Sequence, residues 1–132
     1  MSKKKNECCP AKPELQDREL LDESQASALE TTFKVLANAT RLRLLHAIVQ
    51  SGELCVGDLA EKVGMSPQAV SNQLQRLTDR GVVEARRDGL QMHYRIIDPC
   101  VVMLLDRGWC LTEDATERNE TKSKTKNRRA TA

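Results

Sequence analysis

Apolar residues recur through the middle of the chain at helical spacing, and short polar breaks divide them into successive elements. Leu59, Ala60 and Val63 form the inward stripe of a short helix. Gly64 then supplies a turn, and Ser66-Pro67 reads as an N-cap followed by the proline tolerated at a first helical position. Val70, Leu74 and Leu77 repeat at i, i+4 and i+7, the spacing that gathers side chains on one helical face. The pattern predicts a helix, a sharp turn and a second helix, with Gln68, Ala69, Ser71, Asn72 and Gln73 facing outward. That outward set is short, polar and uncharged, which suits hydrogen bonding to base edges better than it suits a solvated surface.

Upstream, Leu20, Leu21, Ala28, Leu29, Phe33 and Leu36 fit a helical run between Glu14 and Leu36, with Ser24 as a candidate cap. Asn38-Ala39-Thr40 interrupts it. Thr40 is placed to cap a further helix that turns Leu42, Leu45, Ile48 and Val49 toward a core before Ser51-Gly52 ends it. Downstream, residues 82–87 and 90–97 flank Asp88-Gly89, the arrangement of two strands about a tight hairpin turn. A hairpin directly after such a second helix is a wing. Pro99 opens a last helix carrying Val102, Met103, Leu105 and Trp109. The fold class expected is therefore mainly α with a β-hairpin wing, a winged helix-turn-helix. Its boundaries are drawn as a mobile N-terminal arm at 1–13, a dimerisation and DNA-binding domain at 14–114 and a disordered polar tail at 115–132. Leu20, Leu21, Leu29, Val102, Met103 and Leu105 form terminal apolar stripes that no internal element covers, so a homodimer is expected.

Composition narrows the function. A chain of 132 residues with 39% apolar content builds one modest core. Aromatics are 2%, too few for a base-stacking platform, which turns the expected partner from single strands to double-stranded DNA. No apolar run reaches the length of a membrane span, and Lys3-Lys4-Lys5 lacks the apolar stretch of a signal peptide, so no membrane partner and a cytoplasmic location are expected. Net charge is +2, but residues 1–13 carry +3 and residues 117–132 carry +4, leaving a body of −5. Against that acidic body, Arg76, Arg80, Arg86, Arg87 and Arg95 gather around the second helix and the hairpin. They are candidate phosphate contacts, which give affinity and salt dependence without sequence choice. Gln91 and His93 lie on the same hairpin, and Ser66, Pro67 and Arg76 complete the DNA-binding set on the second helix. No nucleophile, acid-base or phosphate-cradling constellation stands out, and two histidines offer little proton-transfer capacity, so an enzyme is not expected.

Five cysteines are an odd number for a disulfide framework, and reduced thiols suit packing, metal or redox roles. On the residues alone, Cys8-Cys9 is expected to be a pair of exposed thiols and Cys55 a small apolar residue at a helix start.

Phe33 through Leu45, Gly52 through Ala60, Val70-Ser71-Asn72-Gln73-Leu74, Gly81-Val82-Val83 and Asp88-Gly89 through Tyr94 together resemble the ArsR/SmtB family of metal-responsive bacterial repressors, over about residues 25–105. The resemblance implies a homodimeric winged helix that occupies an operator and leaves it when an inducer binds. Many relatives have His where Gln73 stands, which bears on operator sequence rather than on DNA binding.

Glu53-Leu54-Cys55-Val56-Gly57-Asp58 is similar to the segment in which cadmium- and lead-responsive members combine this region with cysteines of an N-terminal arm, with Gly57 in place of a second cysteine. Arsenite-responsive members likewise join an adjacent N-terminal cysteine pair to one cysteine here. The resemblance thus implies Cys8, Cys9 and Cys55 as a thiolate set for a soft ion, Cd(II), Pb(II), Hg(II) or As(III), as inducer. Other members place a metal site on the C-terminal helices, where Asp98, Cys100, Cys110, Glu113 and Asp114 fall here without preserved spacing. Ten residues separate Cys100 from Cys110, about 15 Å along one helix, so they converge only across a dimer interface or after a break at Gly108. The same cysteines would also serve a thiol redox or sulfide-responsive repressor on this fold.

Overall fold

The computed structural model describes residues 12–130, with side chains through residue 125. The chain divides into two compact units, the first running through Pro99 and the second beginning at Cys100.

In the first unit a single 3-10 turn, Leu15–Asp17, precedes α1 (Glu23–Leu36). The start of α1 is set by Asp22 rather than Ser24. Asp22 Oδ1 accepts from the Gln25 amide at 2.8 Å and Gln25 Oε1 accepts from the Asp22 amide at 3.0 Å, so two otherwise orphaned amides are satisfied reciprocally. Helix α2 (Ala39–Ser51) is capped by Asn38, not Thr40. Its backbone is extended at φ −152° and its Oδ1 accepts from the Arg41 amide at 3.0 Å, which makes it the first residue able to cap after the break. The inward stripe of α2 is also rotated from the expected one. Leu44, Leu45, Ala47 and Ile48 are buried, while Leu42 and Val49 remain 38% exposed. The helix packs against α3, α4 and the sheet, and the strip carrying Leu44, Leu45, Ala47 and Ile48 is the one that closes.

Strand β1 (Leu54–Cys55), helix α3 (Val56–Val63) and helix α4 (Pro67–Asp79) follow. Gly64 ends α3 in the left-handed region at φ +70°, where a Cβ would be strained, and so permits the sharp turn. Ser66 Oγ accepts from the Ala69 amide at 3.2 Å and Pro67 takes the first helical position, as the sequence predicted. Val70, Leu74 and Leu77 are fully buried and meet Leu44, Leu45, Ile48 and Leu59 in one core.

The hairpin is β2 (Val83–Asp88) and β3 (Gln91–Ile96), paired antiparallel from Val83 opposite Ile96 to Asp88 opposite Gln91. Its loop is Gly89-Leu90, with Gly89 at φ +65° in the first central position, a geometry that matches strand twist and favours glycine. Strand β1 joins the free edge of β3, giving the order β1-β3-β2, with Leu54 opposite Tyr94 and Cys55 opposite His93. Two residues cannot display a two-residue period, so no pattern announced β1.

Helix α5 (Pro99–Ala130) begins at the predicted proline and runs without a break through Gly108. It continues across residues 115–130, where the sequence pattern expected a disordered tail. No Pro or Gly follows Gly108. Glu120 stands four residues before Lys124, a favourable helical orientation. Acidic Glu113, Asp114, Glu117 and Glu120 precede basic Lys122 and Lys124, the order that complements the helix dipole. Local helix preference thus carries a segment that has no apolar stripe to bury.

Candidate nucleic-acid interface and thiols

Helix α4 is anchored by its inner stripe, so its other faces are fixed in space. Pro67, Gln68, Asn72 and Arg76 are exposed, while Ala69, Ser71 and Gln73 are half-buried. Gln68 Nε2 donates to Asn72 Oδ1 at 3.0 Å, one turn along, so two candidate base readers hold each other in place. The hydroxyl oxygen of Ser66 is engaged by its cap and that residue acts on helix geometry.

Gln73 differs from its neighbours. Its Oε1 accepts from Arg41 Nη1 of α2 at 3.3 Å. A guanidinium only donates, so Gln73 has to present its carbonyl oxygen to Arg41, and its NH2 donors point elsewhere. Arg41 Nε is buried and has no partner among the described residues. Arg43 Nη1 donates to the Val63 carbonyl at 3.1 Å, which ties α2 to the end of α3. Sequence reasoning passed over Arg41 because its partner lies 32 residues away.

On the hairpin the arginines separate into two kinds. Arg86 donates through Nε and Nη2 to Glu53 Oε1 at 3.0 and 2.6 Å. Arg95 is held by Glu84, its register partner. Arg87 is exposed and has no ion pair among the described residues. Gln91 is exposed beside the turn. His93 is half-buried, with Nδ1 3.8 Å from Glu53 Oε1 and Nε2 3.9 Å from Asp88 Oδ2. Sequence reasoning did not single out Glu53, although it stands in the sequence segment that drew attention to Cys55.

Cys55 precedes α3 as its N-cap residue, makes no side-chain cap bond and is 8% exposed, so its thiol lies with the core. Cys8 and Cys9 lie outside the described residues. Cys100 is half-buried and Cys110 exposed, both on the unbroken α5, so one chain cannot bring them together. Cys110 Sγ lies 4.0 Å from Asp114 Oδ2, one turn on, while Asp98 directly precedes the helix. Among the described residues no group of three or more His, Cys, Asp or Glu side chains is placed to hold a metal ion. Nor is any helix among them long and apolar enough to cross a membrane.

With this geometry in view, four similarities bear on what the interface is for. The model of a family described as bacterial regulatory protein, arsR family, matches residues 38–85, from the cap of α2 to the start of the hairpin. A cadmium resistance transcriptional regulatory protein of Listeria innocua is 36% identical over 76 residues, covering 58% of this chain and 64% of the relative. The chain thus spans just under two thirds of that relative's length. Among solved structures, that of the AntR antimony-specific transcriptional repressor superposes with a TM-score of 0.70 at 59% identity, covering 81% of this chain and 96% of the other. A homodimeric winged helix-turn-helix DNA-binding domain from Mycobacterium bovis superposes with a TM-score of 0.65 at 33% identity, covering 74% and 93%.

Proposed function

The chain belongs to the arsR family of bacterial regulatory proteins, and on that premise we propose that it is a transcriptional repressor. It acts in the cytoplasm as a homodimer on double-stranded operator DNA and leaves the operator when a soft, thiophilic ion binds its cysteines. The observation that carries this reading is the exposed polar face of α4, held rigid by a closed core and flanked by a hairpin that offers cations. Gln68, Asn72 and the half-buried Ser71 serve as base readers, Gln73 as a reader oriented by Arg41, and Arg76 and Arg87 as phosphate contacts. A binding protein needs no more chemistry than this, in keeping with a family of regulators rather than enzymes.

The inducer is drawn from the ions that prefer sulfur: Cd(II), Pb(II), Hg(II), As(III) and, in view of the 59% identity with an antimony-specific repressor, Sb(III). Two thiol sets are proposed for its capture. Cys8, Cys9 and Cys55 form the set that the sequence resemblance supports, and each would bind as a thiolate with loss of a proton. The second reading uses Cys100 and Cys110 of α5 from both protomers, with Asp98 and Asp114 nearby in sequence. The exposure of Cys110 against the burial of Cys55 favours it.

Release of reduced protein from its promoter DNA by this panel of ions separates the two. If the first set senses, Cys55→Ser and deletion of residues 1–12 keep operator binding and lose release, while Cys110→Ser responds normally. If the second set senses, Cys100→Ser and Cys110→Ser lose release and Cys55→Ser keeps it. Release by an oxidant or sulfide, with a defined Cys–Cys link in the mass spectrum and no response to any ion, would replace metal sensing with redox sensing.

A further inference from the structure

The wing's arginines differ in what already holds them, and for Arg86 the partner is an acid outside the wing. Gly52 adopts φ +82°, turning the chain out of α2 so that Glu53 stands immediately before β1. Cys55 on β1 and Arg86 on β2 are both cross-strand partners of His93 on the central strand, so the three residues form one row across the sheet. Arg86 reaches along that row and donates two hydrogen bonds to Glu53 Oε1, at 3.0 and 2.6 Å, while His93 Nδ1 lies 3.8 Å from the same oxygen. Asp88 Oδ2 is 3.9 Å from the other side of the His93 ring. Glu53 and Asp88 thus set two carboxylates against the one guanidinium of Arg86, an unfavourable face to offer a phosphate.

We propose that Glu53 is an affinity-setting residue of this regulator, its carboxylate competing with a DNA phosphate for the guanidinium of Arg86. The inference rests on the reading of the hairpin as a DNA-contacting wing. The donor edge formed by Nε and Nη2 of Arg86 is one a phosphate would engage bidentately, and both of its donors are occupied by the one oxygen Glu53 Oε1. A phosphate approaching it must displace the carboxylate and then meets that carboxylate's charge at close range. Both side chains remain partly exposed, 54% for Arg86 and 30% for Glu53, so the pair yields to DNA rather than shutting the wing. Arg87, free of such a partner among the described residues, is the wing's unopposed contact.

The test measures affinity of the full-length, reduced protein for promoter and scrambled duplex DNA across roughly 50 to 200 mM salt. Glu53→Gln is expected to bind both duplexes about two- to fivefold tighter, the range set by an exposed ion pair. The slope of log K against log salt should steepen by about 0.9 for each Arg86 released. Glu53→Asp keeps the charge and should stay near wild type, and the double variant Glu53→Gln/Arg86→Ala should match Arg86→Ala alone. Wild-type affinity and slope in Glu53→Gln, weaker binding, or a gain that survives loss of Arg86 would overturn the proposal. Arg87→Ala tests the wing independently: if it binds promoter DNA as wild type does, with an unchanged slope, the wing reading fails before Glu53 is reached. Wild-type protein with no affinity for promoter DNA fails the repressor reading itself.

Discussion

In α3 and α4, Leu59, Val63, Val70, Leu74 and Leu77 are all at most 8% exposed. In α1 and α5, Leu29, Phe33, Met103, Trp109 and Leu111 are 40–64% exposed. Both pairs of helices carry apolar residues at helical spacing, yet one pair closes its stripe within the chain and the other leaves it open. The proposed reading head therefore has a closed core in a single protomer, as a device that matches fixed base edges has to have. The terminal helices have apolar surface with no cover of their own, the condition expected of elements completed by a second copy. On the proposed function, specificity and assembly are housed in different parts of one short chain.

The largest expected break in that contrast is a cavity in the head. Leu74→Ala removes a fully buried side chain and should cost about 2–5 kcal/mol in urea unfolding. Trp109→Ala, on an exposed face, should leave the stability of the monomer nearly unchanged and weaken self-association in sedimentation instead. Equal loss of unfolding free energy in both variants would erase the distinction.

Next in size are the readers. Gln68→Ala or Asn72→Ala should cost about 1–3 kcal/mol on the operator and change which base substitutions are tolerated, as seen in a binding selection. Arg41→Met should do so indirectly, by releasing the Gln73 amide, with little change on scrambled DNA. Unaltered base preference in all three would place the reading face elsewhere.

Smaller effects sharpen the picture at helix starts. Asp22→Ala removes the capping box of α1 and should cost about 1 kcal/mol, raising amide exchange at the start of α1 while α4 keeps its protection. Simultaneous loss of protection in α4 would mean that the two regions unfold together.

The head was the part most legible in the sequence. Val70, Leu74 and Leu77 obey one period, Gly64 and Gly89 stand at positive φ where few other residues fit, and Ser66 and Pro67 stand where a helix start favours a capping oxygen and a proline. The inner strip of α2 was read one step around because Leu42 and Val49 are as apolar as Leu44, and only the neighbours decide which of them closes. Helix α5 beyond residue 114 escaped notice because its helicity comes from charges and the absence of breakers, not from an apolar face. The wing arginines were identified as a group, but Arg86 and Glu53 are 33 residues apart and their pairing exists only after β1 joins β3. Contacts of that range have no local signature. Likewise, the thiols were countable in the sequence, whereas the burial of Cys55 and the exposure of Cys110 depend on which helix faces the core.

The central claim is that a rigid α4 face holds an operator and that a thiophilic ion breaks the hold. Fluorescence anisotropy of labelled promoter duplex, titrated with reduced protein and then with Cd(II), Pb(II), Hg(II), As(III) and Sb(III) in turn, tests it most directly. The account predicts saturable binding that exceeds binding to scrambled duplex by at least about a thousandfold, followed by release with one or more of these ions and none with Mg(II). Equal affinity for both duplexes, or a complex that survives every ion in the panel, would contradict it.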